Sequence, residues 1–186
     1  MIHITVKPFL IATLLFSILT GCANHLREEY NSFVNSRILL PDELCLIANG
    51  EVIEHDSFDE KPKLIIYIDS TECSVCKAKS VKAFDKLFDM SDSTGLFETM
   101  VILSPNKSST NSIVEDLLFT DLSYPIYVDI SQSFARNNSI PEDKRMHIFL
   151  IDKNHTPVFV GDPLLSDQLM SLFKESIDKI SSDEDS

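Results

Sequence analysis

Apolar positions along this chain change spacing repeatedly, from runs typical of strands to the wider spacing of helices. Residues 63–69 contain a continuous, isoleucine-rich apolar run between Lys63 and Asp69, which is typical of a strand buried on both faces of a sheet. Apolar residues then recur at helical spacing from Val75 to Phe88. The pattern predicts that a buried strand leads almost directly into a helix.

Further elements are predicted on both sides of this unit. The apolar runs Ile38–Leu40 and Leu44–Ile47, with Pro41-Asp42 between them and a turn at Asn49-Gly50, suit an opening hairpin. Later strands are expected at 99–103, 126–128, 147–152 and 157–161, and helices at 112–122, 132–136 and 167–180. Strands that alternate with helices predict one α/β domain over residues 37–180, built on a central sheet.

The N-terminal residues have the features of a targeting segment. Lys7 precedes an apolar stretch from Phe9 to Leu19, about half the roughly 20 residues that a membrane-spanning helix needs. A short apolar stretch after a basic residue is typical of a secretory signal peptide, here over residues 1–21. A polar stem over 22–36 is expected to follow, and residues 181–186 are expected to form an acidic, disordered tail.

The end of the apolar stretch, Leu19-Thr20-Gly21-Cys22, resembles the lipobox of bacterial lipoproteins. The resemblance implies cleavage before Cys22, lipidation of Cys22 and a lipid anchor in a membrane of the cell envelope. Ala23 stands where some lipoproteins carry the Asp that retains them at the inner membrane, which favours the periplasmic face of the outer membrane. An ordinary signal peptide with a coincidental cysteine and an uncleaved short anchor are the alternatives.

The charge of the chain limits its partners. The net charge is −13 and no run of Lys or Arg occurs, so the chain offers nothing to hold a nucleic acid backbone or an anionic membrane surface. We therefore expect no nucleic acid partner.

Two of the four cysteines form a close pair, Cys73 and Cys76, just past the end of the predicted strand at 63–69. A cysteine at a helix N-terminus is stabilised as the thiolate, so Cys73 is the expected nucleophile. Cys76, one helical turn later, is expected to resolve the mixed disulfide. Among the flanking residues, Glu72 opposes and Lys77 favours thiolate formation.

The order of strands, cysteine pair and helices resembles the thioredoxin fold, in particular thioredoxin-like lipoproteins and envelope thiol-disulfide oxidoreductases. Residues 67–77, 124–129 and 148–152 carry the likeness. The resemblance implies a central mixed β-sheet flanked by helices, no cofactor, and envelope protein thiols or disulfides as partners.

Several positions depart from the family pattern, including Ser74-Val75 between the cysteines, where a Gly-Pro or similar pair is usual. Glu72 stands where an aromatic residue is usual, and Tyr67 aligns with a buried acid of some family members. Met146 and His147 stand where the family has a cis-proline facing the cysteines, and Pro141 lies too far upstream to replace it. We expect a trans peptide bond in their place. His147 is then either a strand-end histidine bonded to backbone or a neighbour of Cys73 that shifts its pKa or shuttles its proton.

Other functions remain open from the sequence. The fold could serve as a non-catalytic module that binds a peptide or partner protein, or as a redox-inert structural lipoprotein. The pair could form an inert stabilising disulfide, or, with His147 and Cys45, an improvised zinc site, although no metal is expected. Cys45, alone in an apolar run, is expected to be a small buried hydrophobe rather than a reactive thiol.

Overall fold

A computed structural model describes residues 25–41, 43–53, 57–69, 83–106, 108, 110–120 and 124–182 of the chain. The strands are β1 (Cys45–Ala48), β2 (Glu51–Ile53), β3 (Lys63–Ile68), β4 (Glu98–Leu103), β5 (Ile126–Val128), β6 (Ile148–Ile151) and β7 (Pro157–Val160). The helices are α1 (25–34), α2 (Asp85–Thr94), α3 (Thr110–Leu118), α4 (Ser133–Asn137) and α5 (Asp167–Ser182), with 3-10 turns at Lys144–Met146 and Pro163–Leu165.

The strands form one mixed sheet in the order β2-β1-β5-β4-β3-β6-β7. Strands β3, β4 and β5 run parallel at its centre, whereas β6 and β7 on one side and β1 and β2 on the other pair antiparallel. Every residue of β3 is buried, as the continuous apolar run predicts. The architecture confirms the predicted α/β, thioredoxin-like fold.

Alternate residues of β3 face two separate layers of helices. Leu64 and Ile66 face the side covered by α2, α3 and α5. Ile65 and Tyr67 face the side covered by α1 and α4, in a cluster with Phe33 and Phe149. Helices therefore bury both faces of the central strands, which explains why β3 is apolar from Leu64 to Ile68.

The N-terminal region differs from the predicted polar stem. Residues 25–34 are helical, and Phe33 near the end of this helix is 1% exposed, packed edge-on against Phe149 at a centroid distance of 4.9 Å. The packed part of the chain thus begins before residue 37, with Phe33 as a buried contact of this helix. At the other end, α5 extends to Ser182, two residues past the predicted boundary.

The opening hairpin also differs from the prediction. Residues 38–40 form no strand, and β1 pairs instead with β2 across the turn at Asn49-Gly50. Asn49 and Gly50 have φ angles of 53° and 76°, the two positive values that a tight type I′ turn requires. A side chain at position 50 would also meet the carbonyl oxygen of Leu118 at 3.1 Å, so glycine fits the turn on both counts.

Candidate active site

The central strands end together at one edge of the sheet. Ile68, Leu103 and Val128 lie in register as neighbours across β3, β4 and β5. The backbone N–H of Ser104 donates to Ile68 and that of Asp129 donates to Leu103, so the pairing continues one residue past each strand. We call this the carboxyl edge. Polar side chains gather there because each strand has just left the apolar core.

Some predicted site residues lie outside the described part of the chain. These are the cysteine pair Cys73 and Cys76, their neighbours Glu72 and Lys77, and the predicted lipidation site Cys22. Asp69, which directly follows β3, is described, and its carboxylate lies 3.7 Å from the ammonium group of Lys144. The chain therefore leaves β3 beside the turn at Lys144–Met146.

Asp129 is a buried carboxylate at this edge, 1% exposed, and the sequence analysis assigned it no role. Its Oδ2 accepts hydrogen bonds from Ser104 Oγ at 2.8 Å and from the backbone N–H of Phe134 at 3.0 Å. Its Oδ1 accepts from the backbone N–H of Ser133 at 2.9 Å. The sequence signal was an Asp at a strand end followed four residues later by a short helix, whose first N–H groups need an acceptor.

Tyr67 occupies the position where some thioredoxin-like proteins bury an acid. Its ring packs against Phe134 at 5.5 Å and against the imidazole of His147 at 5.1 Å. Burial raises the pKa of Tyr67, against the hydrogen bond with Ser104, which lowers it. Ser104 therefore lies near the Tyr67 hydroxyl, while its own hydroxyl donates to the carboxylate of Asp129.

Met146 and His147 are both buried, and the His147 ring contacts the Tyr67 ring. No cis peptide bond occurs in the described ranges, so the bond between Met146 and His147 is trans, as expected. His147 has helical backbone angles and precedes β6, which begins at Ile148 rather than at the predicted residue 147. The backbone N–H of Tyr67 donates to the His147 carbonyl at 2.8 Å, which fixes this turn against β3.

The His147 side chain is bonded to backbone, as the simpler of its two predicted interpretations requires. Its Nε2 lies 2.8 Å from the carbonyl oxygen of Pro141. Pro141 therefore contributes to the site through its backbone carbonyl group. The sequence did not indicate this role, because Pro141 lies six residues before His147. The other ring nitrogen, Nδ1, is buried and has no hydrogen-bond partner among the described residues.

Cys45 begins β1 opposite Val128, and so it also stands at the carboxyl edge. Burial raises the pKa of its thiol, and its side chain packs against the apolar cluster of β3, β4 and β5. Cys45 is nevertheless half-buried rather than fully buried. Three strand spacings, about 14 Å in total, separate β1 from β3, which argues against Cys45 as a zinc ligand together with residues beside β3.

The described residues contain neither a metal site nor a membrane-spanning helix. Within those ranges no group of three or more His, Cys, Asp or Glu side chains is arranged to hold a metal ion. None of the helices in the same ranges has the length and apolar character needed to cross a membrane.

No protein-family model matches the sequence, and no curated protein shows significant similarity to it. Solved structures similar to this chain include an uncharacterized thioredoxin-like protein from Porphyromonas gingivalis, with 18% identity and a TM-score of 0.45, covering 79% of this chain and 95% of that one. Another is a protein from Chlorobium tepidum assigned as a thiol:disulfide interchange protein DsbE, with 15% identity and a TM-score of 0.49, covering 77% and 98%. A third is the bacterioferritin comigratory protein of Xanthomonas campestris, with 15% identity and a TM-score of 0.40, covering 67% and 84%. By the order and direction of its strands, this chain is an α/β protein with a thioredoxin-like fold.

Proposed function

We propose that this chain is a membrane-tethered thiol-disulfide oxidoreductase of the cell envelope, with Cys73 and Cys76 as its redox pair. The observation that carries the proposal is the position of β3. It is a fully buried central strand, and its sequence runs from Asp69 to Cys73 in four residues. Because only a few residues separate the end of β3 from Cys73, the sequence supports a redox site near the carboxyl edge.

The chemistry needs two thiols and a disulfide partner. The Cys73 thiolate attacks one sulfur of a substrate disulfide, which forms a mixed disulfide and releases the other substrate sulfur as a thiolate. The Cys76 thiolate then attacks the Cys73 sulfur, which releases the second substrate thiolate and leaves a Cys73–Cys76 disulfide. The substrate gains two electrons and the pair loses them; the reverse sequence forms a substrate disulfide.

Trapping of mixed disulfides tests this assignment. Cys76→Ser removes the resolving thiol, so we expect mixed disulfides on Cys73 in non-reducing gels of cells that express it. Cys73→Ser should trap few or none, and Cys45→Ser is the matched control, because Cys45 lies on β1 and is expected to leave trapping unchanged. Equal trapping by the Cys73 and Cys76 variants would refute the roles. Capture of a partner without any disulfide link would favour the alternative of a non-catalytic binding module.

The membrane tether is a separate part of the proposal and rests on Leu19-Thr20-Gly21-Cys22. A multiply acylated cysteine anchors a protein durably, whereas one acyl chain binds membranes only marginally. We expect Cys22→Ser to move the protein from the membrane to a soluble envelope fraction, or to leave an unprocessed precursor. A cleaved Cys22→Ser form that still sediments with membranes would rule out the lipid anchor.

A further inference from the structure

Strand β2 forms one edge of the sheet, and among the described residues nothing hydrogen-bonds the outer side of its central residue, Val52. Ala48 and Glu51 flank the two-residue turn, so they form a hydrogen-bonded pair of the hairpin, and the next pair, Ile47 and Val52, is a non-hydrogen-bonded one. The N–H and C=O groups of Val52 therefore point away from β1. An edge of this kind is a template for a further strand.

Apolar side chains are exposed along the same edge. Val52 is 55% exposed, and its side chain shares a face of the sheet with that of Ile47, which packs against α3. Helix α3 ends at Leu118, whose carbonyl oxygen would meet a side chain at position 50 at 3.1 Å, so Phe119 begins next to the hairpin turn. Phe119 is 92% exposed. Two exposed apolar side chains thus border an open main-chain edge, an arrangement that suits the addition of a strand from a partner.

The charge around this edge favours a basic partner. Residues 38–60 contain seven Asp and Glu residues and residues 108–135 contain four, and neither range contains a Lys or Arg. These ranges include β1, β2, α3 and β5, and Glu51, Glu115 and Asp116 are exposed among them. A second copy of the chain would bring the same negative charge to the edge, which opposes the pairing of β2 with itself.

We propose that the outer side of β2 is a docking edge for an extended, basic segment of another protein. The segment adds a strand to the sheet: its backbone bonds the N–H and C=O groups of Val52, and one of its apolar side chains packs against Val52 and Phe119. Its Lys or Arg side chains meet the surrounding carboxylates. Four strand spacings, about 19 Å, separate β2 from β3, so this contact is independent of the proposed redox site.

Binding of a synthetic peptide tests the proposal. The peptide alternates Lys and Val, carries a fluorescein label, and is added to the full chain while fluorescence anisotropy is recorded. We expect saturable binding that weakens as salt is added, because screening reduces the attraction between charges. A peptide that alternates Glu and Val should not bind, and one that alternates Lys and Ser should bind about tenfold more weakly, since it buries no apolar side chain. Binding of either control as tight as that of the Lys–Val peptide would overturn the proposal.

Two variants locate the bound peptide. Val52→Pro removes the outer N–H group and no bond to β1, and proline is tolerated at such an edge position. We expect the affinity for the Lys–Val peptide to fall about tenfold, the effect of one lost hydrogen bond. Phe119→Ser should weaken binding to a similar degree by removing the exposed ring.

Leu165→Ser is the matched control for both variants. Leu165 is 70% exposed, but it lies just after β7, at the opposite edge of the sheet. Its replacement should leave the affinity unchanged. An unchanged affinity in Val52→Pro and Phe119→Ser, or an equal loss in Leu165→Ser, would count against docking at β2.

Hydrogen exchange of the unmutated full chain gives an answer even if Val52→Pro fails to fold. We expect the Val52 amide to exchange more slowly when the Lys–Val peptide is bound, and an equal rate with and without saturating peptide would overturn the proposal. Sedimentation velocity identifies the other possible occupant of the edge. A dimer of the full chain that Val52→Pro dissociates would assign the edge to a second copy and would also overturn the proposal.

Discussion

Ser104 donates a 2.8 Å hydrogen bond to the carboxylate of Asp129, which links the ends of β4 and β5 in the buried part of the carboxyl edge. The same carboxylate accepts the first N–H groups of α4, from Ser133 and Phe134. The Phe134 ring packs against the Tyr67 ring, which also contacts the imidazole of His147. Asp129 therefore fixes the start of α4, and with it Phe134, one of the rings packed against Tyr67.

The first prediction concerns that carboxylate. Asp129→Asn replaces one acceptor oxygen by an NH₂ group, so at least one buried donor loses its acceptor. We expect the free energy of unfolding to fall by about 2–3 kcal/mol, the range for a hydrogen bond to a buried charged group. Urea denaturation measures it.

Asp152→Asn is the matched control for Asp129→Asn. Asp152 also follows a strand, and its Oδ1 accepts from the backbone N–H groups of Asn154 and Thr156, but in a surface turn. We expect a loss below about 1 kcal/mol there, because water can replace the missing acceptor. Equal losses of unfolding free energy in the two variants would show that burial of Asp129 does not strengthen the contribution of its hydrogen bonds.

The second prediction concerns the docking of α1. Phe33→Ala removes an aromatic side chain that is fully buried against Phe149, so we expect a loss of about 3–4 kcal/mol in unfolding free energy. Residues 25–36 should also become susceptible to limited proteolysis. Tyr30→Ala on the same helix is the control: Tyr30 is 42% exposed, and its loss should change stability little. Similar effects of the two substitutions would contradict a specific role for Phe33.

The sheet of this protein could be predicted from its sequence because its central strands are buried on both faces. Such strands need apolar residues on both faces, and the predicted bounds of β3 and β5 lie within one residue of those observed. The predicted hairpin partner of β1 was wrong because the true partner, β2, is not buried. Glu51, Val52 and Ile53 form an edge strand that is exposed throughout, so no burial pattern marks β2.

Single residues that join distant parts of the chain could not be predicted in the same way. Phe33 docks α1 against β6 from more than a hundred residues away, and Asp129 bonds Ser104 from the neighbouring strand. His147 was selected from its alignment with a family position. The carbonyl group of Pro141 that fixes its tautomer carries no signal in the residue type, because every residue has a carbonyl group.

The third prediction concerns stability in acid. The hydrogen bonds of Arg145 hold the pKa of Asp143 down to about 2, well below its ordinary value of 3.8. A carboxylate with a lowered folded-state pKa stabilises the fold above its ordinary pKa and loses that contribution as the pH falls through the folded value. The unfolding free energy should therefore decline between about pH 4 and pH 2. Urea denaturation at a series of pH values measures this decline. Asp143→Asn should make it shallower, and Arg145→Gln should do the same by removing the partner of Asp143. An unchanged decline in both variants would contradict the role of this ion pair in acid stability.

A second carboxylate adds to the same acid range from the opposite end of β3. Lys63 is fully buried, and its ammonium group binds the carboxylates of Asp59 and Glu98, the latter at 3.0 Å. Burial by itself would raise the pKa of Asp59, but the hydrogen bond and charge of Lys63 outweigh it and leave that pKa below its ordinary value. We therefore expect Asp143→Asn to reduce the acid decline without abolishing it, and the double variant with Asp59→Asn to reduce it further.

The fourth prediction concerns alkali. Tyr127 is 8% exposed and packs against Phe58, and burial, with smaller contributions from the charges of Glu98 and Asp59, raises its pKa from 10.0 to about 12. A group that holds its proton more tightly in the folded state stabilises the fold below its ordinary pKa, and this contribution is lost as the pH rises through the folded value. The unfolding free energy should therefore decline between about pH 10 and pH 12, and phenolate absorbance should show a tyrosine that ionises only near the upper limit. Tyr127→Phe keeps the ring and removes the hydroxyl, so it should reduce the late ionisation by one tyrosine and make the decline shallower, whereas Tyr30→Phe should leave both unchanged. An undiminished late step in Tyr127→Phe would contradict burial of the Tyr127 hydroxyl as a cause of late ionisation.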